Sequence, residues 1–176
     1  IMPSLVGSEM CIRDRPGRVP QPEHGHGRRV TATSAQAFLA DAFAMELGMF
    51  RAGLDAVPAE AFATPLLGHS PAWHALHIAE WLRFFALQDF SATYAHLGWE
   101  DAPWMPELRG TPPVTEQAGK AAVLAELDRV GAQIVAHTRA LGDEQLGDLL
   151  RAPAAPTGQR ERLTGLGMQL RHVAYH

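Results

Sequence analysis

The 176-residue chain is long enough for one domain with a buried core, and 47% hydrophobic against 19% charged residues is ordinary for a globular protein. A net charge of -4, with Arg and Lys scattered apart from Arg28-Arg29 and Arg160–Arg162, excludes the basic face of a nucleic-acid binder. No run approaches the roughly 18 apolar residues that a membrane span needs, so a soluble, cytoplasmic protein is expected.

Residues 1–32 are expected to be a disordered or non-native leader. IMPSLVGSEMCIRDR begins with Ile, has neither helical nor strand period, and resembles translated adapter sequence of the kind that contaminates environmental assemblies. Its apolar run is too short for a signal peptide. Cys11 is the single cysteine of the chain. If the leader is foreign, no cysteine nucleophile, disulfide or thiolate metal site remains. Pro16 to Thr31 read as a flexible lead-in, and the HGH pair His24 and His26 as an exposed tail.

The first helix is predicted from caps at Thr33 or Ser34 to about Val57, ahead of Pro58, with Leu39, Phe43, Leu47, Phe50 and Leu54 on its apolar face. Ser70-Pro71 is a strong start signal for the second. It continues through WHALHIAEWLRFFALQDF to about Phe90, apolar around most of its circumference and hence the most buried. The connection from Ser91 to Val114 carries Gly98, Pro103, Pro106, Gly110, Pro112 and Pro113, and is long enough to cover a site. The third helix is predicted from Thr115 to Leu141, then an irregular segment from Asp143 to Arg162 with room for one helical turn. The fourth begins near Thr164. It runs to His176 with no stop signal, which reads as truncation. No strand-like alternation is visible. The expected fold is all-α: a four-helix bundle over 33–176 with two long connections.

Nine histidines require mostly ordinary explanations. His69, His96 and His137 fall in loops or on exposed faces and are assigned no role. His172 and His176 are four apart on one helix, a spacing that turns both imidazoles to one side and suits two bonds to one ion. His74 and His77, three apart among Trp73, Glu80, Trp81 and Phe84, offer a third nitrogen from another helix. A histidine among aromatic rings stays neutral and binds metal well, although a core histidine bonded to a backbone carbonyl is the commoner use of either one. Three imidazoles leave positions open for water or substrate and suit Zn, Ni, Fe or Mn. A diiron centre would need more carboxylates than these motifs supply.

HALHIAEWLRFF and GLGMQLRHVAYH resemble the two metal-ligand regions of the DinB-like family, over nearly all of Ser34 to His176. That resemblance implies a four-helix bundle with a divalent metal ion held by His77 of the second helix and by His172 and His176 of the fourth; His74 matches no position of the family motif and is kept as a candidate neighbour of the ligands. The Gly-Gln pair that usually continues the last motif is missing. The resemblance further implies a metal-dependent enzyme. Relatives include transferases using bacillithiol, mycothiol or glutathione, and a maleylpyruvate isomerase, so the expected substrate is a small molecule, a low-molecular-weight thiol passed to an electrophile. The alternative is a non-catalytic, metal-stapled stress-response or interaction protein. Family members are often dimers, so homodimerisation is expected, helped by the apolar second helix. Tyr175 and Glu80 are the nearest acid/base residues, and Trp99, Glu100, Asp101 and Trp104 are candidates for lining an entrance.

Overall fold

Periodic apolar residues produce the four main helices among the described residues, and serine caps begin the first two. The computed structural model describes residues 33–65 and 68–176. The expectations for the leader, Cys11, His24 and His26 lie outside them. Helix α1 spans Ala35–Asp55, and the Ser34 hydroxyl accepts from the Ala37 amide at 3.2 Å, satisfying a free donor of the first turn. Helix α2 spans Pro71–Trp81, with Ser70 capping the Trp73 amide at 2.9 Å. Helices α3 and α4 span Lys120–Ala140 and Arg162–Tyr175.

α1 packs most extensively on α3, and α2 lies against α3. Phe43, Ala75, Ile78, Val123, Val130 and Ile134 have no exposed surface in the shared core. Arg51 to Asp128 at 3.1 Å and a pair between Arg139 and Asp41 tie α1 to α3 at the surface. Such exposed pairs contribute little next to the buried apolar area.

Three elements differ from the sequence expectation. α2 does not reach Phe90: its last turn widens into a π-helical turn over Leu82–Ala86, and Gln88 then takes a positive φ of 57°. The wider turn carries both Phe84 and Phe85 into a second apolar cluster with Tyr94, Leu97, Met105 and Leu108 of the following connection. α3 starts at Lys120 instead of Thr115. Glu116–Ala118 form a separate 3-10 turn, and Gly119, at φ 89°, breaks the helix in a conformation few other residues accept. Finally, the absence of strands does not hold. After a 3-10 turn at Glu144–Gly147, β1 (Leu149–Arg151) pairs antiparallel with β2 (Gln159–Glu161), Leu150 opposite Arg160. Three-residue strands are too short to display an alternating pattern.

The 91–114 connection is ordered by its own bonds. Tyr94 donates to the Leu108 carbonyl at 3.1 Å and accepts from Gly110 at 3.3 Å, an isolated bridge between Tyr94 and Arg109. A Cβ at Gly110 would lie 1.7 Å from the Ala92 carbonyl oxygen, so only glycine permits this approach. Arg83, 8% exposed, anchors the start of the segment through Asp89 at 2.6 Å and Thr93 at 2.8 Å. Among the described residues no helix is long and apolar enough to cross a membrane.

Phe43 has 0% exposure and Phe38, on the same helix, 65%. Replacing Phe43 by Ala is expected to cost about 3–5 kcal/mol in urea denaturation, through lost transfer energy and a residual cavity. Replacing Phe38 by Ala should stay within about 0.5 kcal/mol.

Candidate metal centre

α2 is buried nearly all round, and it carries His77 (6% exposed) and Glu80 (3% exposed) into that interior. An isolated polar group there would be costly, so each must find partners. His77 Nδ1 lies 2.5 Å from the carbonyl oxygen of His96. A carbonyl only accepts, so Nδ1 carries the hydrogen and, in the neutral ring, Nε2 presents a lone pair. That lone pair faces α4: His77 Nε2 is 3.2 Å from His172 Nε2, which is 3.1 Å from His176 Nε2.

The structure thus brings together the three histidines singled out in the sequence. One ligand atom from each of His77, His172 and His176 lies within 4.8 Å of the others. Two nitrogens on a tetrahedral zinc, with bonds of 2.0–2.1 Å, stand about 3.3 Å apart. The separations of 3.1 and 3.2 Å are close to that figure, so the donor set fits a divalent ion.

Electrostatics favours the neutral, ligating form. Burial, reinforced by repulsion from the neighbouring histidines and only partly offset by the His96 carbonyl, pushes the His77 pKa from 6.5 down to about 3. Burial and the nearby His176 push His172 down to about 4. His176 is lowered too, first by burial and then by His74. Trp73 stacks on the His77 ring, centroids 4.5 Å apart, and Trp81 packs on His172 at 4.1 Å, so each ring has an aromatic wall on one side.

The remaining nitrogens are held unequally. His176 Nδ1 is 3.1 Å from His74 Nδ1, which makes His74 the contact that orients the His176 ring. His172 Nδ1 is buried with no protein partner. His69 stacks on Trp73 at 3.7 Å and His137 lies 3.4 Å from Arg162, so neither joins the centre.

His96 was assigned an exposed loop and no role; it is 6% exposed and central to the support of the site. Glu80 likewise faces the 91–114 connection, not an open cleft. Its carboxylate accepts from the Ala95 amide at 3.0 Å, the His96 amide at 2.6 Å and the His96 ring at 2.7 Å. Trp81 Nε1 donates to the Leu97 carbonyl at 2.9 Å. Residues 77, 80 and 81 share a helix face, so α2 grips three consecutive loop residues with it. The spacing of His77, Glu80 and Trp81 was visible in the sequence, but their loop partner, 15 to 19 residues downstream, carried no local signal. Trp99, at φ 57°, packs against Trp81 at 4.9 Å, and Trp104 stacks on Phe84 at 5.6 Å, so both tryptophans fasten the connection to α2.

Two clefts flank the histidines. One, of about 300 Å³, is lined by Trp81, Met168, Gln169, Arg171, His172 and Tyr175. The other, of about 340 Å³, lies between α1 and the end of α4 and includes Glu46, Phe50 and His176. The exposed ring of Tyr175 therefore borders the first cleft, while Glu80 reaches neither.

An all-α bundle whose second and fourth helices converge three histidines, buried at His77 and exposed at His176, defines a class of helical proteins with a donor set that fits a divalent ion. A profile of the DinB superfamily matches residues 42–176, and the chain belongs to that superfamily. Comparison with curated proteins gave no match, and neither did comparison with solved structures.

Both folded-state values lie below the ordinary 6.5, so the unfolded chain binds more protons than the folded one. Their contribution to stability is complete above 6.5 and declines as pH falls toward 4 and then 3. The urea midpoint of the metal-free protein is therefore expected to fall over that range. His77→Phe should flatten the dependence, measured by denaturation at a series of pH values.

Proposed function

We propose that the protein is a divalent-metal-dependent enzyme that activates a low-molecular-weight thiol for transfer to an electrophile, in the cytoplasm where such thiols are abundant. The observation that carries this reading is the convergence of the His77, His172 and His176 ring nitrogens beside two clefts. A divalent ion held there, Zn, Ni, Fe or Mn, would supply a Lewis acid that lowers the pKa of a bound thiol.

The chain's own residues would do the rest. His77 keeps its hydrogen on Nδ1 by donating to His96, so its Nε2 stays available. Trp73 packs on His77 and Trp81 on His172, which fixes both rings. Arg171 and Tyr175, on the rim of the cleft beside His172, offer a cation and a hydroxyl to a polar substrate. In the transfer, sulfur bonds to the electrophilic carbon, the leaving group departs with its electron pair, and the thiol proton passes to solvent.

A structural role has one observation in its favour. α4 buries only Leu166, Gln169 and Val173, so an ion joining its histidines to α2 would fasten a sparsely packed helix. The proposed enzyme is also a homodimer. α2 is consumed by the core of its own chain, so the apolar side chains left for a partner include Phe38, Met45 and Met49 of α1.

Replacing His77, His172 or His176 by Ala is expected to remove metal and activity together, read by elemental analysis and a conjugation assay with small thiols. His137→Gln should leave both unchanged. A chelator should abolish turnover while circular dichroism retains the signal of α1, α2 and α3. Cooperative unfolding on chelation, with no turnover of any thiol, would favour the structural role. Light scattering should report a dimer, and Met45→Glu with Met49→Glu should shift it to monomer.

A further inference from the structure

We propose that Glu80 is a positioning residue for the metal centre, acting through the backbone of Ala95 and His96 to hold the carbonyl that orients His77. The inference rests on the metal-centre reading above and adds to it a group that touches neither ion nor substrate.

The case begins with cost. A carboxylate 3% exposed in a helix that otherwise packs as core is expensive, and an apolar side chain of similar size would be accommodated more cheaply. What Glu80 obtains in return is directed at one place. Both of its oxygens accept from the Ala95 amide, one also takes the His96 amide at 2.6 Å, and the other takes the His96 ring Nδ1 at 2.7 Å. The amide and ring fixed in this way belong to His96, the residue whose carbonyl, one peptide unit on, receives the His77 Nδ1 hydrogen at 2.5 Å.

His77 differs here from the other two ligands. His176 is steadied by a half-buried side chain, His74, and among the described residues no protein atom bonds His172 Nδ1. His77 is thus the ligand tied to backbone, and Glu80 is what keeps that backbone in place. His96 has a second carboxylate near it, Glu116 at 3.9 Å from Nε2, and Glu116 also bonds to the Ser70 hydroxyl that caps α2. The clasp therefore ties the loop, the 3-10 turn ahead of α3 and the start of α2 around the base of His77.

The chemistry separates the variants. In Glu80→Gln the remaining oxygen can accept from both backbone amides while the new NH2 donates to His96 Nδ1 in its other tautomer, so the loop stays held. Glu80→Ala removes the acceptor of the Ala95 and His96 amides, the second of them buried. Glu80→Asp keeps the charge but falls short by one methylene. His96→Ala removes the ring and keeps the carbonyl that His77 uses.

The test is made on the full chain near neutral pH. Nitrogen-15 NMR of the imidazoles reads the His77 tautomer without metal, and competition with a chromophoric chelator reads zinc affinity. Wild type, Glu80→Gln and His96→Ala should show a single His77 tautomer with hydrogen on Nδ1 and equal zinc affinity. Glu80→Ala, or Glu80→Asp should Ala fold poorly, should mix the tautomers and weaken zinc by about 10–100-fold, the usual effect of losing such outer support. A folded Ala or Asp variant that keeps both the tautomer and the affinity overturns the proposal. If wild type itself binds no zinc, the metal-centre reading fails, and the tautomer comparison alone decides: mixing in Ala with rescue in Gln supports positioning by Glu80, and no change overturns it.

Discussion

The hydrogen bond from His77 Nδ1 to the His96 carbonyl, 2.5 Å long and buried, is the constraint on which the site depends. It determines which nitrogen bears the hydrogen, and so leaves Nε2 as the one directed at α4. A buried imidazole could satisfy itself in other ways, by donating from Nε2 or by rotating toward a hydroxyl, and any of these would remove a donor from the cluster. The aromatic rings of Trp73 and Trp81 make the choice durable, because they exclude the water that would stabilise a charged or rotated ring. Burial then keeps His77 neutral down to a pKa of about 3. Fold and ligand chemistry meet in one bond.

That bond explains why the first long connection has to be ordered. Residues 91–114 supply the His96 and Leu97 carbonyls, yet they hold them only because the segment is fastened at several points. Arg83 takes its start, the Tyr94 and Arg109 bridge closes its middle, and Trp99 and Trp104 rest on the aromatic end of α2. The π-helical turn at Leu82–Ala86 gives this arrangement its second apolar cluster, since a regular α-turn would direct Phe84 and Phe85 differently. The connection is thus a support beneath the site more than a cover over it.

The bundle was largely readable because helix signals are local: Ser34 and Ser70 are caps where expected, and the apolar series of α1 and α3 are the buried ones. The His172 and His176 pair was readable for a related reason, as an i, i+4 pair declares its shared face in four residues, whereas His77 was chosen over His74 through the family resemblance. What stayed hidden depended on distance or on length. His96 has no periodicity of its own, and its burial follows from Glu80 fifteen residues and more upstream. The β1–β2 pairing rests on two strands of three residues, below what an alternating pattern can reveal. His77 carried two sequence readings, a metal ligand and a core histidine on a backbone carbonyl. The carbonyl bond takes Nδ1 and leaves Nε2 for the cluster, so the two readings are compatible.

The centre is also lopsided, and the asymmetry bears on how function and stability are shared. The α2 half is preformed: His77 is buried, bonded to backbone and stacked on Trp73. The α4 half sits on a helix that buries three side chains, with His172 Nδ1 unpartnered and His176 steadied only by His74. An ion arriving at such a site would find one ligand in place and two on an element whose docking it improves. Its binding free energy would then add to the docking of α4, as linkage requires of an ion that binds the folded chain alone. Catalysis and stapling are therefore not opposed in this architecture. The contact that would expose a Lewis acid to the clefts is the same contact that would hold the fourth helix against the second.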